Sequence, residues 1–246
     1  MNIGQLKQKP SNENKQIYNY FAYGSNMALS TMINLREIEP ISYTPAILPN
    51  HELLFNVPGL PYVEPSFASV EPTKIMINDK YDNMNATDDC IVHGVLYELT
   101  EKDFITICRT EGVPFAYQLH RCKPIPYTGD GKYAGRDALE NEVLLQQKQQ
   151  NATMNPNSRQ ELDTALTPTS RLAFTLRAKS ISGSVQNIPP SQEYMNVLIR
   201  GAKEFSIDDD YVQKLKQIKV GRTLFGKGTA EKMLLAAERR NKWKKQ

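Results

Sequence analysis

Two short stretches carry residue types that could do chemistry. The first is Tyr23-Gly24-Ser25-Asn26-Met27, at the end of an aromatic, apolar run that begins at Tyr18. Gly-Ser-Asn lets a strand end in a tight turn with backbone N–H groups pointing outward. Followed by a helix start, such a turn is a nest for a carboxylate or phosphate, and Ser25 and Asn26 add side-chain hydrogen bonds. A plain strand-to-helix turn capped by Ser25 or Asn26 fits the same residues. The second stretch is Arg109-Thr110-Glu111-Gly112, where a helix is expected to end. The C-terminal end of a helix carries partial negative charge and usually attracts Lys or Arg, so an acid there is electrostatically awkward. Flanked by apolar residues, the Glu111 carboxyl is expected above its ordinary range, which suits proton transfer near neutral pH. An exposed glutamate in a loop fits that spacing equally.

The elements that must position these residues follow from patterning. A first strand is expected over 17–23 and a short helix over 27–35, then strand pieces over 38–54 broken by Pro40, Pro45 and Pro49. Residues 55–65 are rich enough in proline to predict an ordered loop without regular structure, its aromatics walling a pocket. Residues 67–72 predict a short strand. Residues 90–99 alternate as a central strand, with Gly94 at a point of close backbone approach. Thr100 and Asp103 then form a capping box for a helix that buries Phe104, Ile105, Ile107 and Cys108 and ends near Gly112. Strands are expected over 116–124 and 171–180. Ser191 caps a helix carrying Tyr194, Val197, Leu198 and Ala202, and another helix starts near Asp208.

The chain of 246 residues, 40% hydrophobic, with 12 Tyr and 8 Phe, can bury a sizeable core. Its domain organisation is expected to be a disordered leader over 1–16, one domain over 17–218, and a basic helical tail over 219–246. The Gln/Asn-rich tract at about 135–169 predicts a partly disordered insertion on a β-hairpin. A formal charge of +3 implies no general polyanion surface and hence no nucleic-acid partner. Cys90, Cys108 and Cys122 lie far apart without a CxxC pair, so neither a disulfide framework nor a zinc site is suggested, and a reduced cytoplasmic setting is the simplest home. His51, His93 and His120 are equally scattered and read as structural or surface residues. The first 15 residues lack the apolar stretch of a signal peptide, and there is no run of about 18 apolar residues for a membrane span. The basic tail could touch an anionic surface, although a solvated terminal helix explains it as well.

Three blocks in order resemble the γ-glutamylcyclotransferase family. They are Tyr23 to Met27 after an apolar strand; Gly94-Val95-Leu96-Tyr97 leading through a helix to Glu111-Gly112 and Tyr117; and Pro189-Pro190-Ser191-Gln192-Glu193-Tyr194 followed by Gly201-Ala202-Lys203-Glu204. The similarity covers most of 17–218, excluding the insertion. The closing block, with Tyr211 and Leu215 after it, looks like γ-glutamylcyclotransferase proper rather than the glutathione-specific or γ-glutamylamine branches.

The resemblance implies a mixed α/β fold, a small twisted β-barrel-like sheet with flanking helices. It implies cyclisation of γ-glutamyl amino acids or dipeptides to 5-oxoproline by attack of the α-amine on its own γ-carbonyl, within glutathione metabolism. Glu111 would be the catalytic base and acid. Tyr23, Gly24, Ser25, Asn26 and Met27 would hold the γ-glutamyl group, mainly by backbone N–H groups, with Tyr117 and Tyr194 lining the pocket. No metal or other cofactor is expected, and the partner is a small molecule, with a homodimer left open. Met27 stands where Leu is common, an acceptable volume match. The long Pro-rich segment, the insertion and the tail bear on substrate range. The rivals are another acceptor branch and a non-catalytic module that binds γ-glutamyl groups or carboxylates, against which the retained Glu111 argues.

Overall fold

The computed structural model describes residues 16–60, 63–73, 90–128, 133–154, 169–179 and 187–223. All of the expected leader but Gln16, and most of the basic tail, lie outside these residues. In chain order the strands are β1 (Ile17–Ala22), β2 (Ser42–Pro49), β3 (His51–Leu60), β4 (Glu64–Pro72), β5 (Ile91–Thr100), β6 (Tyr117–Cys122), β7 (Ile125–Pro126) and β8 (Ala173–Ala178). The helices are α1 (Glu101–Thr110), α2 (Ala134–Met154), α3 (Gln192–Glu204) and α4 (Asp209–Gln217). A 3-10 turn at Ser25–Met27 and a π-helical turn at Thr31–Leu35 replace the short helix expected after β1.

Six strands form a mixed sheet in the order β6-β8-β1-β5-β2-β7, and β3 pairs with β4 as a separate hairpin. The fold is thus mixed α/β. β6 and β7 form opposite edges of the sheet, yet only Lys123 and Pro124 join them. Three Cα steps reach about 11 Å at most, so the sheet must curl until its edges approach. No strand pairing closes that gap among the described residues, which corrects the barrel-like expectation to an open, curled sheet. β5 is central as expected, antiparallel to both β1 and β2. A Cβ on Gly94 would strike the Ala22 carbonyl oxygen and come within 2.8 Å of the Phe21 ring, so glycine permits the close crossing. The burial of Phe21, Leu96, Tyr97 and Leu99 makes this junction the centre of the core.

Two regions differ from expectation. Phe55 to Leu60 belong to β3, and Pro58 pairs in register with Ser66. A two-stranded hairpin leaves each strand an outer edge, where a missing N–H breaks no ladder, so proline content did not forbid the strand. The tract expected as a disordered excursion begins with α2. Ala138 and Leu139 pack on Ile47, Ile125 and Tyr127, while the buried Glu142 carboxylate accepts from Thr169 N at 2.9 Å and Thr169 Oγ1 at 2.8 Å. The Asp208 carboxylate receives Gly135 N at 2.9 Å and Arg136 N at 3.2 Å, capping α2 from the start of α4. A few anchoring contacts thus order a helix whose composition is otherwise that of solvated surface. No helix among the described residues is long and apolar enough to cross a membrane.

Candidate active site

Glu111 owes its place to the way α1 starts and stops. Thr100 Oγ1 accepts from Asp103 N at 3.2 Å, the expected N-cap, and donates to Asp103 Oδ2 at 2.7 Å, so the Asp103 carboxylate meets the cap's hydroxyl rather than the backbone N–H that a capping box engages. Phe104 and Ile107 are buried as expected, whereas Ile105 is 56% exposed. At the other end Gly112 adopts φ 73°, Gly112 N reaches Arg109 O at 3.2 Å and Val113 N reaches Cys108 O at 2.9 Å. That is a Schellman ending, which needs glycine one residue after the cap and so fixes Glu111 as the cap itself.

The other half of the site leaves β1 at Tyr23. Met27 N closes the 3-10 turn on Gly24 O at 3.0 Å, so the Ser25 and Asn26 N–H groups lead the turn without a partner inside it. Met27 is fully buried and its carbonyl accepts from Tyr97 OH at 2.7 Å, so Met27 offers backbone rather than side chain. Gly201 lets α3 lie against the turn, since a Cβ there would sit 2.8 Å from Ala28 N.

Asn26 joins the two halves. Its Nδ2 donates to Glu111 Oε1 at 2.9 Å and to Tyr20 OH at 3.1 Å. Arg36, just past the π-helical turn, donates from Nε to Asn26 Oδ1 at 2.8 Å and from Nη2 to Glu111 Oε1 in a short ion pair. The expected half-apolar setting of Glu111 is therefore corrected to a polar ring of Asn26, Arg36 and Glu111. The guanidinium supplies the positive charge that the helix end calls for. Both donors use Oε1, which leaves Oε2 for another partner. The Glu111 and Arg36 side chains retain 15% and 12% of their exposure.

Three tyrosines converge on the backbone of one residue, Ala68. Tyr117 OH donates to Ala68 O at 2.9 Å, Tyr194 OH accepts from Ala68 N at 3.2 Å, and Tyr23 OH lies 3.4 Å from Ala68 O while donating to Leu176 O at 2.5 Å. The Tyr194 hydroxyl also faces the Ser25 amide, and a Cβ on Gly24 would lie 3.2 Å from it. Burial pushes the hydroxyls of Tyr20, Tyr23, Tyr117 and Tyr194 upward, with Glu111 adding to each, so all four stay protonated at neutral pH. All the sequence-predicted site residues thus gather around the turn and the end of α1.

No family model matches the sequence. It is 38% identical over 104 residues to "Gamma-glutamyl cyclotransferase gliK" of Aspergillus fumigatus, a match covering 40% of this chain and 37% of that protein. It is 34% identical over 116 residues to "Gamma-glutamyl cyclotransferase verK" of Clonostachys rogersoniana, covering 46% and 64%. It is 28% identical over 191 residues to "Gamma-glutamyl cyclotransferase gliK" of Claviceps purpurea, covering 78% and 65%. Each match spans less than two thirds of the relative's own length. Among solved structures, one described as gamma-glutamyl cyclotransferase superposes with a TM-score of 0.56 at 18% identity, over 91% of this chain and 99% of its own. A human protein described as uncharacterized superposes with a TM-score of 0.56 at 18% identity, over 90% and 98%. The chain has the fold of the γ-glutamyl cyclotransferases.

Two residues of this γ-glutamyl cyclotransferase-fold site, Arg36 and Tyr20, escape sequence reasoning. Arg36 is a lone arginine after a short irregular helical stretch, where the nearby Glu37 and Glu39 are the acids its sequence suggests rather than Glu111, and Tyr20 reads as one more core aromatic in β1. Away from the site, His51 and His120 meet with Nε2 atoms 3.1 Å apart. His51 Nδ1 lies 2.8 Å from the Pro49 carbonyl, so its Nε2 is the acceptor and His120 the donor. No group of three or more His, Cys, Asp or Glu placed to hold a metal ion occurs among the described residues, and the three cysteines form no disulfide.

Proposed function

We propose that the protein is a γ-glutamylcyclotransferase that converts γ-glutamyl amino acids or dipeptides to 5-oxoproline and a free amino acid, with Glu111 as base and then acid. The observation that carries this reading is the 2.9 Å bond from Asn26 to Glu111, which makes the Gly-Ser-Asn turn and the carboxylate one site. The substrate's α-ammonium gives a proton to Glu111 Oε2, the oxygen left open. The amine nitrogen then attacks the γ-carbonyl carbon, forming the ring C–N bond and a tetrahedral oxyanion. The Asn26 N–H at the head of the turn receives that oxyanion, and the Tyr194 O–H, whose oxygen already takes the Ala68 and Ser25 N–H groups, donates as well. Glu111 returns the proton to the leaving nitrogen as collapse breaks its bond to carbon, and the second proton of the ring nitrogen then passes by way of Glu111 to the released amine, leaving the lactam N–H and an ammonium. Nucleophile and electrophile share one molecule, so positioning supplies much of the barrier reduction and no step calls for a metal or nucleotide.

The test is incubation of the purified protein with a panel of γ-glutamyl dipeptides, glutathione and γ-glutamyl-lysine, with 5-oxoproline measured. Release from the dipeptides is expected. Release from glutathione or γ-glutamyl-lysine alone would reassign the acceptor branch, and release from none would leave a binding module.

A further inference from the structure

We infer that Arg36 binds the α-carboxylate of the γ-glutamyl substrate and so makes the site specific for a free α-amino acid head; this rests on the cyclotransferase reading above. A guanidinium has five N–H donors. Arg36 uses Nε on Asn26 Oδ1 and one Nη2 hydrogen on Glu111 Oε1. The other Nη2 hydrogen and both on Nη1 meet no acceptor among the described residues. The side chain is only 12% exposed, so water can serve these three donors poorly. Charged donors kept largely from water without partners are costly, and a group that fits them side-on is a carboxylate.

Geometry and charge sign select which carboxylate. In a γ-glutamyl compound the α-ammonium and α-carboxylate sit on one carbon and arrive side by side. Glu111 and Arg36 also sit side by side, in contact through Oε1 and Nη2, while Oε2 and the outer guanidinium edge take no bond among the described residues. An ammonium directed at Glu111 Oε2 therefore brings its neighbouring carboxylate to the guanidinium. The leaving amino acid departs from the opposite end of the glutamyl chain, so its own carboxylate cannot meet Arg36 in the same pose. Lysine would supply the charge but not the fork that serves Asn26, Glu111 and a carboxylate together.

The test compares 5-oxoproline with its primary amide, which differ only at this carboxylate, by calorimetric dissociation constants on wild type, Arg36→Met and Arg36→Gln. It is paired with kcat/KM on a γ-glutamyl dipeptide and its α-carboxamide. Wild type should favour the acid by about 10- to 100-fold, the range of a charge-assisted hydrogen bond. In Arg36→Met the preference should fall to about one. Arg36→Gln, whose amide ends where Nε stood and so keeps the bond to Asn26, serves if the methionine variant does not fold and should show the same collapse. A residue that merely positions Glu111 would instead lower kcat for acid and amide alike and leave their ratio unchanged. That outcome in a folded variant, or equal binding of acid and amide by wild type, overturns the inference while dipeptide turnover keeps the cyclotransferase reading. If wild type neither cyclises any γ-glutamyl compound nor binds 5-oxoproline, both fall.

Discussion

Glu111→Gln separates chemistry from architecture. The substitution keeps an oxygen where Asn26 Nδ2 and Arg36 Nη2 donate, and it removes only the charge and the ability to take a proton. Two bonds to a carboxylate become bonds to a neutral amide, so the folded state should lose about 1–2 kcal/mol, reduced toward the lower figure by the residual exposure of both partners. For a domain of this size that is a drop in Tm of roughly 2–8 °C. Turnover should fall much further. Removing a positioned acid-base group costs about 10²- to 10⁴-fold, or roughly 3–5 kcal/mol of barrier. Calorimetric unfolding and 5-oxoproline release from a γ-glutamyl dipeptide give the two numbers on one preparation. Full turnover by a folded Glu111→Gln protein would refute the assignment of the proton carrier. A loss of turnover no larger than the loss of folded protein would show that Glu111 only holds Asn26 and Arg36 in place.

Gly112→Ala should cost about 1–2 kcal/mol, because φ 73° is left-handed, while the new methyl meets only Ala116 Cβ at 3.5 Å; thermal unfolding reads this directly. Gly94→Val should lower stability more, since any Cβ there collides with the Ala22 carbonyl and crowds Phe21, and a melting point equal to wild type would disprove the close crossing. Burial alone would raise the Glu142 carboxyl, but hydrogen bonds from Thr169 outweigh it and hold the group below its ordinary value. Its contribution should therefore be present above pH 4.5 and be lost as pH falls through the depressed folded value, an acid-side loss that Glu142→Gln should blunt. Burial lowers His51 to about 4, with His120 and Arg177 adding to the effect against the Pro49 carbonyl. The unfolded chain then binds the extra proton first, so stability should decline as pH falls from about 6.5 to 4, and His51→Gln should flatten that slope in unfolding curves.

The two halves of the site were legible because each rests on a local rule. Gly112 after Glu111 marks a helix end, and Gly24-Ser25-Asn26 marks a strand end; neither depends on what lies across the fold. The Thr100 and Ser191 caps were legible for the same reason, Ser191 Oγ taking Tyr194 N at 2.9 Å. Arg36 was not legible, because its meaning comes from residues ten and seventy-five positions away that only tertiary packing brings together. The Pro-rich strand and α2 were misread for the opposite reason. Composition argued against regular structure there, and tertiary contacts overrode it: pairing of β3 with β4, and the anchors at Glu142 and Asp208.

The hairpin that composition hid also explains how the tyrosines are held. Leu54 pairs with Ser69 and Val57 with Phe67, so Phe55 and Asn56 together oppose Ala68 in a β-bulge. The bulge takes Ala68 out of the ladder and frees its N–H and C=O for Tyr194, Tyr117 and Tyr23. The displaced Phe55 backbone is satisfied elsewhere, its N–H by Asn187 Oδ1 at 2.8 Å and its carbonyl by Ile188 N at 2.7 Å. Glu64, at the start of β4, takes Ser191 N at 3.0 Å and the Ser191 hydroxyl, so the hairpin is tied to the helix that carries Tyr194. One irregularity in a two-stranded ribbon thus sets the tyrosine hydroxyls opposite the Gly24 turn. Removing one residue from the bulge would return Ala68 to the ladder and should scatter all three hydroxyls at once, a larger loss of binding than any single Tyr→Phe change.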